Sequence, residues 1–317
     1  MAIPIKLKKR WDVYPSLQDV LAATQNLSVS PFGTTIDDDL QDFRGIKLIG
    51  KGECINVSLS NSDFSGSLWQ NFQIAETETF TPLINRVIFD ESSFQQSEYT
   101  PLCGRGTTFL SCCFINCKYK GVGFLQAIIK DCLFSDIKKN VRLDFNCKLI
   151  EDCLFIGDIY KAKFWYSSLK NCIFEGVLYD TSFWGARDFA SQKEPILPEK
   201  VDNRMENIDF SQAEMIQCNF WAYCYLDKVK PSERNCVFKV TDGFYECLLT
   251  QIQSSESPLK EKLIKWVKLF YAPHITAPYR VAHPNDVSFN RPEDTKFSQT
   301  LYNFICEAAE ATNCRIK

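Results

Sequence analysis

The residues of this chain most able to do chemistry are thiols, because it has 15 cysteines but only 2 histidines. Cys112, Cys113 and Cys117 lie close together in the sequence, and so do Cys218 and Cys224. A four-thiolate zinc site normally uses cysteines spaced as Cys-x-x-Cys, and the sequence contains no such pair. We therefore expect neither a metal site nor a bound cofactor.

Catalytic motifs are also missing from the sequence. It has no phosphate-binding GxxxxGKS/T, no GxSxG nucleophile elbow and no HExxH. Acidic residues are scattered, whereas the carbohydrate-cleaving β-helix enzymes need carboxylates on one face. His274 and His283 lie in a proline-rich stretch, where we expect surface or packing residues rather than ligands. The sequence predicts no catalytic residue and no enzymatic activity.

A cysteine followed two positions later by phenylalanine recurs along the chain. Free cysteine behaves as a small hydrophobic residue, so the repeat predicts a buried thiol beside each ring. The repeat occurs as "DCLF" twice, "NCIF", "QCNF" and "NCVF", at Asp131–Phe134, Asp152–Phe155, Asn171–Phe174, Gln217–Phe220 and Asn235–Phe238.

Large apolar residues recur at every fifth position, and a smaller residue stands two positions before nearly all of them. The large positions include Leu59, Phe64, Trp69, Ile74, Phe89, Phe94, Phe109, Phe114, Tyr119, Phe124, Ile129 and Phe134, and later Phe164, Phe174, Tyr179, Phe210 and Phe220. Neither an α-helix nor a flat strand has this period. It predicts a coil that turns a corner every five residues, with about 20 residues in four sides.

The coil also predicts which residues stack. Phe94, Phe114, Phe134, Phe155 and Phe174 lie close to one coil apart, so we expect each ring above the last. Side chains on neighbouring coils have Cβ atoms about 4.8 Å apart, beyond the roughly 3.5–4.5 Å that a disulfide needs. The cysteines of the repeat are therefore expected to be buried thiols.

The repeat resembles that of the pentapeptide-repeat family, whose loose consensus is a small residue, Asp or Asn, Leu or Phe, and two variable residues. The segments that match are "SDFSG", "CLFSD", "AKFWY", "SSLKN", "CIFEG" and "CNFWA", within roughly residues 54–240. The resemblance implies a mainly β fold, a right-handed quadrilateral parallel β-helix. It also implies a binding or structural role without catalysis.

Both ends of the chain leave the repeat, as the caps of a repeat protein must. We expect an N-terminal cap over residues 1–50 with one short helix, begun by a capping box of Ser16 and Asp19. The β-helix follows over residues 51–243, and residues 244–317 form a helical cap or a dimerisation region. The basic start Lys6–Arg10 and the acidic Asp37–Asp42 are expected to be a solvated end and a solvated connector.

The C-terminal region is expected to contain two amphipathic helices. The first begins near Ser257 and Pro258, and the second follows the proline-rich stretch. Their apolar positions are Leu259, Leu263, Trp266, Val267 and Phe270 in the first helix, and Phe297, Leu301, Phe304, Ile305 and Ala308 in the second. They either cover the open end of the β-helix or form a homodimer, since members of the family often pair through their C-terminal ends.

Composition and the pattern of apolar residues indicate whether the protein is expected in a membrane, outside the cell or in the cytoplasm. The net charge is -3 and the apolar runs are short, so no segment approaches the roughly 20 apolar residues of a membrane span. The first residues include basic side chains but lack the apolar stretch of a secretory signal. We expect a cytoplasmic protein that binds neither a membrane nor nucleic acid directly.

The function predicted from these observations is a non-enzymatic scaffold that binds a protein. An insertion at about 190–207 is expected to project as a loop, and outward tryptophans next to the repeats would add a contact patch. The candidate partner-binding residues are Trp165, Trp184, Lys193, Glu194, Glu199, Lys200 and Trp221.

The alternative comes from the family resemblance. Some pentapeptide-repeat proteins mimic duplex DNA, bind a type II topoisomerase such as DNA gyrase and protect it from a poison or toxin, which gives antibiotic resistance. Mimicry needs rows of outward carboxylates, because duplex DNA carries one charge per roughly 1.7 Å. The repeat region has only a modest acidic excess, and lysines cluster between Lys118 and Lys148.

Overall fold

The strands from Gln41 to Trp221 form a parallel β-solenoid, in which each strand pairs with a strand of a neighbouring coil. This computed structural model describes residues 4–36, 39–74, 81–103, 106–137, 143–185, 205–221, 223–273, 277–287 and 292–317. The strands run along two long sheets, one of 13 strands and one of 8 strands in the order β2-β4-β6-β9-β12-β16-β19-β21. Among the described residues, no helix is long and apolar enough to cross a membrane.

The strands of the solenoid are short. Their bounds are β1 Gln41–Asp42, β2 Lys47–Ile55, β3 Leu59–Asp63, β4 Leu68–Ile74, β5 Leu83–Asp90, β6 Ser93–Cys103, β7 Thr108–Leu110, β8 Cys113–Ile115, β9 Lys118–Leu125, β10 Ile128–Lys130, β11 Leu133–Ser135, β12 Leu143–Asn146, β13 Leu149–Glu151, β14 Leu154–Ile156, β15 Ile159–Tyr160, β16 Lys163–Trp165, β17 Ser168–Lys170, β18 Ile173–Tyr179, β19 Ser182–Trp184, β20 Asp209–Ile216 and β21 Asn219–Trp221.

Two columns of stacked aromatic rings fill the interior. Within a column, consecutive rings stack face to face, as for Phe134 and Phe155, whose planes are 7° from parallel and whose centroids are 5.0 Å apart. Rings of different columns meet edge to face, as for Phe134 and Phe145 at 5.3 Å, an arrangement that aromatic quadrupoles favour. The first column is Phe43, Phe64, Phe89, Phe114, Phe134, Phe155, Phe174 and Phe210, and the second is Phe124, Phe145, Phe164, Phe183 and Phe220.

The predicted stacking of Phe94 below Phe114 is wrong. Phe114 pairs in register with Phe89, while Phe94 pairs with Tyr119. Two successive coils are 25 residues long here, from Phe64 to Phe89 and from Phe89 to Phe114, and the register of β6 shifts twice where it pairs with β9. From Phe114 to Phe174 the interval between stacked rings is close to twenty residues.

The prediction of Tyr179 as an inward residue is also wrong. Leu178 is buried instead, and the Tyr179 ring lies outside with its centroid 5.7 Å from that of Tyr160. The side of the coil after Phe174 is shortened by one residue at Gly176, whose φ is 102°. A Cβ atom there would lie 2.6 Å from the carbonyl oxygen of Gly157, so this shortened side requires glycine.

At many corners of the coil, the residue two positions after the inward large side chain has the left-handed backbone conformation, with a positive φ. One such column consists of Ser111, Asp131, Asp152, Asn171 and Asn207, with φ between 50° and 55°. Short polar side chains tolerate this conformation best, and here they also bond along the axis. Asn171 Nδ2 donates to Asp152 Oδ1 at 2.9 Å, and Asn207 Nδ2 donates to Asn171 Oδ1 at 3.0 Å.

The small inward position holds donors that bond to the backbone. The thiol of Cys132 donates to the carbonyl oxygen of Lys130 at 3.1 Å. The thiols of Cys153 and Cys172 likewise donate to the carbonyl oxygen of the residue two positions before each of them. Ser167 occupies an equivalent site and donates to Phe145 O at 2.9 Å. The cysteines of the described residues are free, and those at the small inward position serve as buried donors.

The N-terminal cap covers the first coil. It consists of α1 (Ile5–Lys9), a 3-10 turn (Arg10–Val13) and α2 (Leu17–Ala23). The predicted capping box is present, because the Ser16 hydroxyl accepts from the Asp19 amide and the Asp19 carboxylate accepts from the Ser16 amide. Trp11 is buried against Phe43, with ring centroids 6.2 Å apart, and this contact extends the first aromatic column.

Arg10 and Asp42 are not solvated, contrary to the prediction, whereas Lys6, Lys8 and Lys9 of the basic start are exposed as predicted. Arg10 Nη2 lies 2.6 Å from Asp42 Oδ1, and Arg44 binds the same carboxylate through Nε and Nη2 at 2.9 and 3.0 Å. Burial by itself would raise the pKa of Asp42, but the hydrogen bonds from Arg44 and Arg10 hold that pKa well below its usual range. The network fixes the cap to the first coil.

The C-terminal region contains α3 (Asp242–Ser254), α4 (Lys260–Phe270), α5 (Pro292–Ala311) and the antiparallel strands β22 (Cys236–Lys239) and β23 (Tyr279–Ala282). Helices near the two predicted positions are present as α4 and α5. The sequence analysis missed α3, although Thr241 caps it by accepting the Phe244 amide at 3.1 Å.

This region covers the open end of the solenoid with side-chain hydrogen bonds. Asn235 accepts the Met215 amide at 3.0 Å and donates to the Met215 carbonyl at 2.7 Å. Asp286 Oδ1 accepts the Gln217 amide at 2.7 Å. Because these groups satisfy backbone atoms at the edge of the last coil, the end of the sheet is closed. His283 is buried, as a packing residue would be, and its Nε2 lies 3.1 Å from Glu214 Oε1.

Candidate functional site

Three tryptophans lie in register on the outer face of the 8-stranded sheet. Trp165 pairs with Trp184, and Trp184 pairs with Trp221, on the adjacent strands β16, β19 and β21. They follow the inward rings Phe164, Phe183 and Phe220 directly, so the pleat turns them outward. We call these three residues the tryptophan column. The indoles of Trp165 and Trp184 have centroids 6.0 Å apart and are tilted by 49°.

The column is held in place by cations. Lys163 Nζ lies 4.5 Å from the ring centroid of Trp165, and the Arg280 guanidinium carbon lies 4.7 Å from that of Trp221. Cation–π contacts of this length are attractive and restrict the indoles. Trp165 and Trp184 are partly buried, while Trp221 is 39% exposed. The face is therefore rigid and still accessible.

The tryptophan column continues into a groove between the last coil and the C-terminal region. The groove has a volume of about 360 Å³ and is lined by Trp221, Trp266, Phe270 and other residues of both parts. The rings of Trp266 and Phe270 are in contact, with centroids 4.5 Å apart. Phe270 is 45% exposed. Trp266 and Phe270 therefore form an apolar wall that is open to solvent.

The groove also contains charged side chains. Arg280 and Asp286 both line it. Burial raises the pKa of the Asp286 carboxyl to about 7, against the opposing effect of the amides of Gln217 and His283 that donate to it. At neutral pH this carboxyl is therefore only partly ionised, and the other charged groups that line the groove are Arg280 and the exposed Asp180.

Outward charges on the 13-stranded sheet alternate in sign. Lys130 pairs in register with Glu151, and Glu151 with Lys170. Glu151 lies 2.6 Å from Lys130 Nζ and 3.4 Å from Lys170 Nζ. Glu206 extends the row beside Lys170, and Lys228 lies 4.0 Å from it. A row in which each carboxylate has a neighbouring lysine produces little net field.

The seven predicted partner-binding residues divide into two groups. The structure brings Trp165, Trp184 and Trp221 together on one face. Lys193, Glu194, Glu199 and Lys200 lie outside the described residues, as does most of the predicted insertion at about 190–207. The groove was missed, because Trp266 and Phe270 were assigned to the buried face of the helix; their spacing alone does not show that only Leu263 and Val267 are fully buried.

Within the part of the chain that the structure describes, no group of three or more His, Cys, Asp and Glu side chains could hold a metal ion. Burial raises the pKa of Cys117 to about 12, which keeps that thiol protonated and unreactive. The tryptophan column and the groove present aromatic and apolar contact surface.

Repeat and fold together define the class of protein. Five-residue units with one small and one large inward side chain build a parallel coil whose rings stack from level to level. Helices lie at both ends of the coil. The chain forms a parallel β-helix built from five-residue units, as its sequence predicts.

Solved structures with a similar fold include pentapeptide-repeat proteins. HetL, which is involved in heterocyst differentiation regulation in the cyanobacterium Nostoc sp., is 13% identical over 68% of this chain and 91% of its own, with a TM-score of 0.23. Two trypsin-treated variants of QnrB1, a plasmid-mediated fluoroquinolone resistance protein, are 15% and 13% identical over 55% of this chain and 78% and 80% of theirs, with TM-scores of 0.16 and 0.17. No family model and no curated sequence matches the chain. The TM-scores are low, so the assignment of this chain as a parallel β-helix of five-residue units rests on its own repeat and strand register.

Proposed function

We propose that this protein is a non-enzymatic scaffold that binds another protein through the tryptophan column and the adjoining groove. The observation that carries the proposal is the placement of Trp165, Trp184 and Trp221 at one register position on three neighbouring strands. Single exposed apolar residues are common on protein surfaces, but a continuous aromatic patch marks an interaction site.

The rigidity of the face supports this proposal. Tryptophan, tyrosine and arginine supply most of the residues that dominate binding energy in protein interfaces. The column is mounted on paired strands over a stacked aromatic core, so it loses little conformational freedom when a partner binds. Trp266 and Phe270 extend the apolar area beyond Trp221 along the groove.

The charge pattern favours this function over mimicry of DNA. A mimic needs carboxylates in rows along the axis, whereas the row from Lys130 to Lys228 alternates in sign. The partner in this proposal is therefore recognised by aromatic surface. Binding to a type II topoisomerase is a separate outcome that a gyrase assay detects.

A capture experiment with matched variants tests the proposal. The intact protein is immobilised and exposed to extract of the source organism, beside the double variant Trp184→Ala/Trp221→Ala and the control Ile173→Ser. Ile173 is also exposed, at 42%, but lies on the other sheet. We expect a specific protein to be retained by the wild type and by Ile173→Ser and lost with the double variant. Equal retention by all three would contradict the proposal, provided that their melting temperatures show that each is folded.

A further inference from the structure

Arg280 is fixed in the groove by contacts that use only part of its guanidinium group. Its Nη1 donates to the carbonyl oxygens of Ala277 at 2.9 Å and Tyr279 at 3.0 Å. The plane of the group is held near Trp221, as the distance of 4.7 Å to the ring centroid shows. The side chain is therefore ordered before any ligand arrives.

The opposite edge of this guanidinium is unused. Among the described residues, no acceptor bonds to Nε or Nη2 of Arg280, and no carboxylate lies within 4.0 Å of them. These two nitrogens form the fork that binds a carboxylate through two parallel hydrogen bonds. Arg44 shows this geometry in the same protein, because its Nε and Nη2 donate to the two oxygens of Asp42 at 2.9 and 3.0 Å.

The acidic groups near Arg280 do not fill this role. Asp286 uses one oxygen to accept the Gln217 amide and the other to accept the His283 amide, each at 2.7 Å. Asp180, at the rim of the groove, is exposed to water, where its charge is screened. The fork is thus an unpaired and partly buried cation beside an apolar wall.

We propose that the groove binds a linear segment of the partner that presents an Asp or Glu carboxylate to Arg280 and an adjacent large apolar side chain to Trp266 and Phe270. This inference rests on the proposed function and names the chemistry of the partner at one end of the tryptophan column. Arginine recognises carboxylates by two-point geometry, and the aromatic wall supplies contact area for the neighbouring residue.

Selection from random displayed peptides tests this assignment directly. The probe is a library of short linear peptides without modified residues, selected on the immobilised full-length protein. We expect the selected peptides to carry Asp or Glu beside Phe, Leu, Ile or Trp. Arg280→Gln should weaken their binding by about tenfold or more, because a charge-assisted two-point contact is lost. The peptide affinity of Arg280→Lys should lie between those of the wild type and Arg280→Gln, since lysine keeps the charge but cannot make the two-point contact.

Two controls keep the result interpretable. Arg234→Gln removes an exposed arginine that contacts Glu214 outside the groove, so it should leave peptide affinity unchanged. Replacing the acidic residue of a selected peptide by its amide removes the charge without altering the protein, and it should cause a loss similar to that of Arg280→Gln. This second measurement decides the matter even if the Arg280 variants are poorly folded.

Failure of this inference differs from failure of the proposed function. Selection of no peptide, selection of peptides without acidic residues, or equal affinity for wild type and Arg280→Gln would each overturn the assignment of the groove. If partner capture still depended on Trp184 and Trp221, the scaffold function would stand. If capture were independent of the tryptophans, the scaffold function itself would be contradicted, whatever the peptides show.

Discussion

At the scale of single residues, each inward ring of the solenoid contacts rings of its own column and of the neighbouring column. Phe134 stacks on Phe114 and Phe155 and meets Phe124 and Phe145 edge to face. It is fully buried. Because backbone hydrogen bonds fix the coils at a strand spacing, the neighbours cannot move in to fill a gap.

Phe134→Ala should therefore lower the free energy of unfolding by about 3–5 kcal/mol, the range for loss of a buried phenylalanine. The matched control is Lys118→Ala at an exposed position of β9, where the change should stay within about 0.5 kcal/mol. Urea denaturation followed by circular dichroism measures both values. Similar stability of the two variants would show that the assigned register of the core is wrong.

Much of the inward set can be predicted from residue type, and the exceptions have identifiable physical causes. The small and large positions from Cys112 to Phe134 are buried as the five-residue period requires. The five-residue period fails at Tyr179, because Gly176 shortens one side of the coil. Phe94 is buried as predicted, but its stacking partner is Tyr119 because the coil that follows it is enlarged. A glycine in the sequence shows that such a change is allowed, but only contacts between neighbouring coils determine where it occurs.

At the scale of elements, the N-terminal cap is attached by an ion-pair network as well as by packing. Asp42 is 5% exposed and accepts hydrogen bonds from Arg10 and Arg44. The sequence did not reveal this network, since Arg10 and Asp42 each lie in a charge run that is typical of solvated segments. Their pairing depends on the cap folding back over the first coil.

Asp42→Asn should destabilise the protein by about 3 kcal/mol at neutral pH, because two arginines lose their charged partner in a mostly buried site. The pKa of Asp42 is lowered by folding, so its contribution is present above the usual pKa of Asp and is lost as the pH falls below about 4. The stability difference between wild type and variant should therefore shrink on acidification. Chemical denaturation at a series of pH values measures it.

The control for this network is Asp12→Asn. Asp12 also pairs with a lysine, Lys47, at 2.8 Å, but both side chains are about half exposed. Exposed pairs contribute about 0–1 kcal/mol, so this variant should change stability little at any pH. Equal losses for Asp12→Asn and Asp42→Asn would contradict the role given to burial.

At the other end, helix periodicity identified α4 and α5, but their partners could not be derived from the sequence. The groove exists because α4 buries Leu263 and Val267 while leaving Phe270 exposed. The other wall of the groove comes from the last coil and from β23, neither of which is adjacent to α4 in the sequence. The tryptophans were predicted as outward residues, but their continuity with the groove depends on how the C-terminal region packs on the last coil.

At the scale of the whole molecule, the solenoid has an aromatic face on one sheet and an alternating row of charges on the other. Net charge is only -3, and the carboxylates of the row are paired with lysines. The electrostatic field of duplex DNA is therefore not reproduced along this row. Partner choice should depend on shape and aromatic contact, which are only weakly sensitive to salt.

DNA gyrase should accordingly supercoil relaxed plasmid at an unchanged rate when this protein is added in excess. The same assay with a fluoroquinolone should show no protection of the enzyme. Inhibition or protection that disappears at raised salt would identify electrostatic mimicry and contradict the reading of the charge row. Loss of the effect in Trp184→Ala/Trp221→Ala would instead assign topoisomerase binding to the aromatic face.

The most direct test of the central claim is site-specific photo-crosslinking in cells of the source organism. A photoreactive phenylalanine analogue is placed at Asn219, on β21 beside Trp221, or at Ile173 on the other sheet, where both native side chains are exposed. If the aromatic face is the binding surface, Asn219 gives one discrete crosslinked protein and Ile173 does not. The same product from both positions, or a product from Ile173 alone, would contradict a function based on this face.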